Sequence, residues 1–587
     1  MNAIPGPDSA GESFATLLHH WARQLADETA LTFLDYSESV DAKAVYLTWS
    51  ELDERVSAVA ARLLESAAPG ERAAIVADQS ADYVVAFLGA IRAGMIAVPL
   101  FSPGLPGHAE RLATVLADAE PSLLLTTAGK VGEVTAFVAS QAMRAPDVIA
   151  VDTAEPVRGE HEWPVPAPDD LAYLQYTSGS TRTPAGVMLA HRNVLANARQ
   201  ACRAYGAEPG LNTTVSWLPL YHDLGLMLGI GAPMAGGIGS VLMDPLAFLG
   251  RPGRWLRALS LSPGAISAGP NFAFAYTASR VPEAEKVYLE LGGVSALTNG
   301  SEPVLPATIA RFQDAFAECG LPPNVQRVCY GLAEATLVVS VTDADKPLRQ
   351  VTFDRDRLAA GTAVPVVGGE GATTLVSCGR PAGQELLIVD PATRRPLPAG
   401  EVGEIWVSGP NIGAGYWKKP DDSVATFGLS PAVAAGEEPG RGMDGRGWLA
   451  TGDLGLLFEG ELYMTGRSKD LIIVDGRNHY PQDIEQTVEG NPAVRPHSAG
   501  AFAVAGEEGE KAVVVLERSK RDDASELDLG EAGAAIRAEV SRLHGLGLHD
   551  IVFVPPGEVP RTSSGKISRA LCRSRYLDGT FTGRRLS

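Results

Sequence analysis

The chain has 587 residues, 45% hydrophobic and 20% charged, which is enough to bury more than one core. Lys and Arg number 49 against 70 Asp and Glu, a net charge of −21. Such a field repels polyanions and argues against broad binding to nucleic acid or anionic membranes; the composition suits a soluble enzyme.

In chain order, the first eight residues lack a basic region followed by an apolar run, so no secretion signal is expected. Apolar periodicity predicts a helix over 52–66, a strand over 73–76, a helix over 81–94 and a strand over 95–99. Alternation of this kind implies an α/β protein with parallel or mixed sheets flanked by helices. The most apolar stretches, 84–100 and 224–243, are broken by Arg92 or by glycines, so no membrane span is expected. A loop-rich stretch over 432–447 precedes Thr451-Gly452-Asp453, and after Arg467 the pattern restarts with a strand over 471–474 and a helix over 481–489. We therefore expect a large, multi-subdomain N-terminal domain over 1–467 and a small mobile α+β domain over 468–587. The five cysteines, Cys202, Cys319, Cys329, Cys378 and Cys572, show no CxxC spacing. They suggest neither a zinc site nor a disulfide framework, and thiols in a reducing cytoplasm are the expectation.

The segment 176–187 places five Ser/Thr hydroxyls and two glycines in a turn after an apolar run. Glycine lets the backbone approach an anion closely, and amides with hydroxyls can bond phosphate oxygens. By itself it also reads as a surface loop. Its meaning comes from the motifs downstream of it, in order: Trp217-Leu218-Pro219-Leu220-Tyr221-His222-Asp223, Tyr330-Gly331-Leu332-Ala333-Glu334-Ala335-Thr336, Thr451-Gly452-Asp453, Gly466-Arg467 and Pro560-Arg561-Thr562-Ser563-Ser564-Gly565-Lys566.

Together these motifs resemble the adenylate-forming superfamily and, within it, the fatty acyl-AMP ligases, over nearly the whole chain. The resemblance implies ATP and Mg2+ as cofactors. Thr177, Ser178, Gly179, Ser180 and Thr181 would hold phosphate; Ser301, Glu302 and Pro303 would form the adenine-side turn. Tyr330 would stack adenine with Gly331 beside it, and Asp453 and Arg467 would contact the ribose. Glu334 would hold the metal, Lys566 would stabilise the developing negative charge, and Lys469 would be the hinge between adenylation and acyl transfer. Such a reaction needs positive charge, because the attacking carboxylate and the triphosphate repel one another. Gly225, Gly269, Asn271 and Phe272 fall in segments expected to line the acyl pocket, where apolar residues suit methylenes and glycines leave room, and His222 resembles the family's gate residue near the substrate carboxylate. Core packing is the competing account of the apolar positions, and a structural role that of His222.

Arg182 and Ala185 stand where many relatives carry glycine and lysine, and Ala333 replaces a common threonine; fatty acyl-AMP ligases resemble the chain at these places. Glu334 and Gly379 are 45 positions apart (379 − 334), about one hairpin more than in ordinary acyl-CoA ligases. The extra piece near 351–376 looks like the branch's insertion, which restrains the small domain and disfavours the CoA-dependent step. The partners so implied are a medium- or long-chain fatty acid and an acyl carrier protein. Arg561, Lys566, Arg569, Arg573, Arg575, Arg584 and Arg585 offer a basic patch for an acidic carrier, or a solvated tail. A carrier domain fused after Lys566 is not expected. A CoA-dependent ligase and a non-catalytic nucleotide or lipid sensor remain alternatives. Amino-acid activation is disfavoured, since Asp223 is the only acid in the pocket motifs and belongs to the branch's pattern.

Overall fold

The computed structural model describes residues 13–586 apart from 106–107, 142–145, 158–160, 178–183, 345, 433–439, 441, 475–476, 507–508, 520–528 and 563–564. Local sequence sets the element boundaries, as the helix Trp49–Leu64 shows. Thr48 Oγ1 accepts from the Glu51 amide (3.2 Å) and Glu51 Oε2 accepts from the Thr48 amide (2.9 Å). This reciprocal cap starts the helix three residues before the apolar periodicity predicts. Ser80 similarly caps Ala81–Arg92, which stops short of Gly94 and its left-handed turn (φ +67°). The expected strands appear as Arg72–Ile75 and Ile96–Pro99.

Alternation of short apolar strands with helices builds two large sheets. In the first, Asp147–Ala150, Leu123–Thr126, Arg72–Ile75, Ile96–Pro99 and Leu171–Tyr176 run parallel, and Gly186–Ala190 closes the edge antiparallel. The second has nine strands. Its parallel centre comprises Thr29–Asp35, Gly239–Met243, Thr213–Ser216, Ala265–Pro270, Ala296–Gly300 and Gln326–Gly331. Both faces of these strands are covered, as parallel sheets require. Trp255, Phe274, Phe312 and Phe316 pack edge-on or tilted against one another on this sheet and are fully buried. Each such side chain contributes about 1.5–3 kcal/mol of burial.

An antiparallel sheet of four strands comes next, ending in Leu449–Phe458 and Glu461–Arg467. The smaller C-terminal domain carries helix Pro481–Glu489, as the sequence predicts, and a sheet of Val494–Gly506, Gly509–Arg518, Leu548–Val554 and Arg584–Leu586. Between the two lies the extra segment: Gln350–Asp354 and Ala372–Val376 pair as a hairpin around the short helix Arg355–Ala359. Arg355 Nη1 donates to the Leu543 carbonyl (2.6 Å), and Asn478 Nδ2 to the Ala359 carbonyl (3.2 Å). The hairpin is thus hydrogen-bonded to the C-terminal domain. Among the described residues no helix is long and apolar enough to cross a membrane.

Candidate active site

The parallel strands aim their carboxyl ends at one place. Leu171–Tyr176 runs into Thr177, Thr213–Ser216 into Trp217, Ala265–Pro270 into Phe272, Ala296–Gly300 into Ser301, and Gln326–Gly331 into Glu334. Open parallel sheets gather ligands there because loops leaving neighbouring strands part and leave a crevice. Here the crevice is a cavity of about 1130 Å³, roofed by residues of the C-terminal domain including His497 and Lys566.

Tight backbone geometry fixes the nucleotide-like end. A Cβ at Gly331 would collide with the Leu337 carbonyl oxygen, so only glycine lets the chain close on itself there. The Leu332 amide donates to that carbonyl (3.0 Å), and Glu334 sits on the resulting turn, Ala333–Ala335. Tyr416 donates its hydroxyl to Glu334 Oε1 (2.8 Å). Burial raises the Glu334 carboxyl above the usual carboxylate range, and the Tyr416 hydrogen bond opposes that rise. Ser301 holds a left-handed backbone (φ +67°) at the cavity wall, uncommon for a residue with a side chain.

Asp453 lies directly opposite Arg467 in a strand pair, and Arg467 Nε reaches Asp453 Oδ1 at 2.9 Å. The Tyr330 hydroxyl donates to Asp453 Oδ2 (2.8 Å). Each carboxylate oxygen keeps a further lone pair for another donor. The neighbouring Asp453 charge raises the Arg467 pKa. On the facing domain Lys566 is half-buried. Burial lowers its pKa, while the carboxylates of Asp223 and Glu302 favour its ammonium.

The structure brings most of the sequence-selected residues together and separates others. Thr177, His222, Gly225, Phe272, Ser301, Gly331, Glu334, Asp453, Arg467, Lys469 and Lys566 all line the cavity. At Gly225 a Cβ would strike the Pro219 carbonyl, so only glycine fits there. Tyr330, expected to stack on adenine, belongs to a buried cluster and donates its hydroxyl to Asp453 in the site. Glu302 points inward, accepting from the Phe272 amide (2.7 Å), and Pro303 does not line the cavity. Asn271 is buried in a hydrogen-bond network with Asn299 and Thr308, and Gly269 packs near Trp217; neither lines the cavity. Ser178, Gly179, Ser180 and Thr181 lie outside the described residues, as do Ser563 and Ser564. Beside them, the Thr177 amide donates to the Ala185 carbonyl (3.2 Å), and Lys419 Nζ to the Pro184 carbonyl (2.7 Å). Sequence reasoning missed Tyr416, whose Gly-rich segment gave no chemical cue, and Asp223 and Glu302 as partners of Lys566.

The basic tail is mostly engaged within the protein. Arg569 pairs with Glu485 (2.7 Å) and Asp470 (3.1 Å), Arg585 with Asp550, and Arg561 donates to the Gly565 and His497 carbonyls. Arg573, Arg575 and Arg584 remain exposed.

A cavity at the carboxyl ends of two parallel sheets, with paired acidic and basic groups at one end and an apolar wall at the other, defines a nucleotide-dependent acid-activating site. A family model described as "AMP-binding enzyme" matches residues 18–417, and one described as "Disco-interacting protein 2-like, AMP domain" matches 469–584. The chain belongs to the AMP-binding enzyme family, whose members use ATP, and within it to the fatty acyl-AMP ligases. It is 44% identical to long-chain-fatty-acid–AMP ligase FadD26 of Mycobacterium marinum, over 97% of this chain and 98% of that one. It matches a structure described for fatty acyl-adenylate ligases from E. coli and L. pneumophila with a TM-score of 0.84 and 31% identity, covering 99% of both chains. The L. pneumophila fatty acyl-adenylate ligase in complex with acyl adenylate and pyrophosphate matches with a TM-score of 0.71 and 32% identity, covering 96% of both chains.

Proposed function

We propose that the protein joins a medium- or long-chain fatty acid to AMP at the expense of ATP, releases pyrophosphate, and passes the acyl group to the phosphopantetheine thiol of an acyl carrier protein. The observation that carries this reading is the continuity of one cavity from Glu334, Asp453, Arg467 and Lys566 to the apolar wall of Trp217, Phe272 and Ala275.

Asp453, braced by Tyr330 and Arg467, accepts the ribose hydroxyls. The fatty carboxylate oxygen attacks the α-phosphorus, the bond to the β,γ-phosphate oxygen breaks, and pyrophosphate leaves. The Lys566 ammonium neutralises charge that develops on the transferring phosphoryl group; a donor fixed in place costs no reorganisation at that moment. Asp223 and Glu302 help keep that lysine protonated despite its burial. Thr177 and the loop it begins receive phosphate oxygens.

Glu334 suits a magnesium ion: it is a cavity-lining carboxylate whose orientation Tyr416 holds. Among the described residues there is no cluster of three or more acidic, His or Cys ligands. That fits an ion held by one or two carboxylates, waters and substrate phosphates. When bound, the ion neutralises phosphate charge.

For the second step, Lys469 is the pivot on which the C-terminal domain turns, between domains bounded near residues 467 and 468. The hairpin of 350–376, tied through Arg355 and Asn478, opposes that turn and disfavours CoA. Exposed Arg573, Arg575 and Arg584 give an acidic carrier a surface to meet. The expected location is the cytoplasm. Incubation with ATP, magnesium, a fatty acid, CoA and phosphopantetheine-bearing carrier protein tests the reading. The carrier should gain the acyl mass by mass spectrometry; an unmodified carrier beside abundant acyl-CoA would reverse the assignment of the acceptor.

A further inference from the structure

The apolar arm of the cavity does not end in a closed pocket. Besides Trp217 and Ala275, its lining includes Leu249 of helix Pro245–Gly250 and Tyr276, Ser279 and Arg280 of helix Asn271–Arg280. Inside, its walls are sealed: Trp217 is 3% exposed and stacks on Phe248 with ring centroids 3.8 Å apart. At the far end they are wet, for Leu249 is 42% exposed, and Ser279 and Arg280 are also exposed. The Tyr276 hydroxyl donates to the Leu249 carbonyl (2.6 Å), joining the two helices at this rim. The Arg280 guanidinium lies 5.7 Å from the Tyr276 ring centroid. The nearby acids are engaged elsewhere, Glu283 with Lys286 (2.7 Å) and Glu285 with Arg251 (3.1 Å).

Taking the acyl-adenylate reading as given, we infer that this rim is a subsite for the distal end of the acyl chain. It takes fatty acids carrying an ω-carboxylate or ω-hydroxyl, with Arg280 as the specificity-determining residue. A polar or charged end group trapped in an apolar pocket loses its water without compensation. At this rim the end group stays hydrated and gains an arginine able to bond a carboxylate with two N–H groups. Short ω-substituted acids leave the end group inside the sealed stretch; only chains long enough to span it bring the group to Arg280. The open end also sets no upper limit on chain length, because further methylenes pass into solvent.

The test compares straight-chain monoacids with α,ω-diacids and ω-hydroxy acids of the same lengths, from eight to eighteen carbons, by fatty-acid-dependent pyrophosphate release. The probes keep the reacting carboxylate constant. Short diacids should be worse than the matching monoacids by about a hundredfold, and the gap should close to within about tenfold once the chain reaches the rim. Arg280→Glu should lower kcat/KM for those long diacids about tenfold, the scale of reversing one exposed charge pair, and leave monoacids unchanged. Unchanged monoacid turnover also shows that the variant is folded. Rejection of diacids at every length while monoacids react would overturn the subsite. So would an Arg280→Glu effect equal for both series. If no monoacid of any length is activated, the acyl-adenylate reading itself fails and takes the subsite with it.

Discussion

The two ends of the cavity are built on different principles. At the nucleotide-like end, the principal carboxylates have named constraints: the Gly331 turn carries Glu334, the strand register sets Arg467 against Asp453, and Tyr330 and Tyr416 each fix one carboxylate. At the acyl end, position comes mainly from packing, as in the stacked Trp217 and Phe248, with one hydrogen bond from Tyr276 to the Leu249 carbonyl near the exposed Arg280. The first end demands particular atoms in particular places; the second demands only apolar surface of suitable length. Substitutions at the first should therefore lower turnover for all substrates alike, whereas those at the second should re-rank substrates.

Lys566→Ala is the sharpest way to break this contrast. We expect pyrophosphate release to fall by about 10²–10³, the usual loss on removing one preorganised donor, with thermal unfolding unchanged; near-normal release would remove its assigned role. Asp453→Asn should come next. Hydrogen bonds to charged groups are worth about 1.5–3 kcal/mol, so kcat/KM for ATP should drop roughly ten- to a hundredfold with every fatty acid, read by initial rates. Arg355→Ala removes the bond from the extra hairpin to the Leu543 carbonyl. Acyl-CoA formation should then rise by about tenfold on the same energy scale, while adenylate formation holds steady; no rise would mean that the hairpin does not restrain transfer. At the acyl end, Ala275→Leu fills the channel wall. Each methylene is worth about 0.8 kcal/mol, or roughly fourfold, so the chain-length optimum should move shorter while kcat/KM for ATP stays put.

The smallest effect is one of pH. Burial lowers the Lys566 pKa, and the ammonium is the form the reaction uses. Activity should therefore decline as pH rises through a value below the ordinary lysine value of about 10.4. Lys566→Arg keeps its charge across that range, and its alkaline limb should move upward in a pH–rate profile.

The same contrast explains what the sequence made legible. Chemistry that tolerates few residue types leaves spaced motifs, and so Glu334, Asp453, Arg467 and Lys566 stand out from the sequence alone. Helices with side-chain caps are readable to within a few residues, and the Thr48–Glu51 cap accounts for the earlier start of Trp49–Leu64. What stays hidden depends on direction. Tyr330 lies within a motif, yet its hydroxyl bond to Asp453, 123 positions away, is set by the fold and not by spacing. Asn271 sits in the right segment but ties its side chain to Asn299 and Thr308, because successive positions on a helix point to different sides. Tyr416 is distant in sequence from Glu334, and only the tertiary fold brings them together.

The most direct test is a product assay with ATP, magnesium and a ladder of fatty acids, run with and without CoA. Accumulation of acyl-AMP in both, with acyl-CoA absent, is the predicted result. Efficient acyl-CoA formation would contradict the account and make the protein a CoA ligase that happens to carry the extra hairpin.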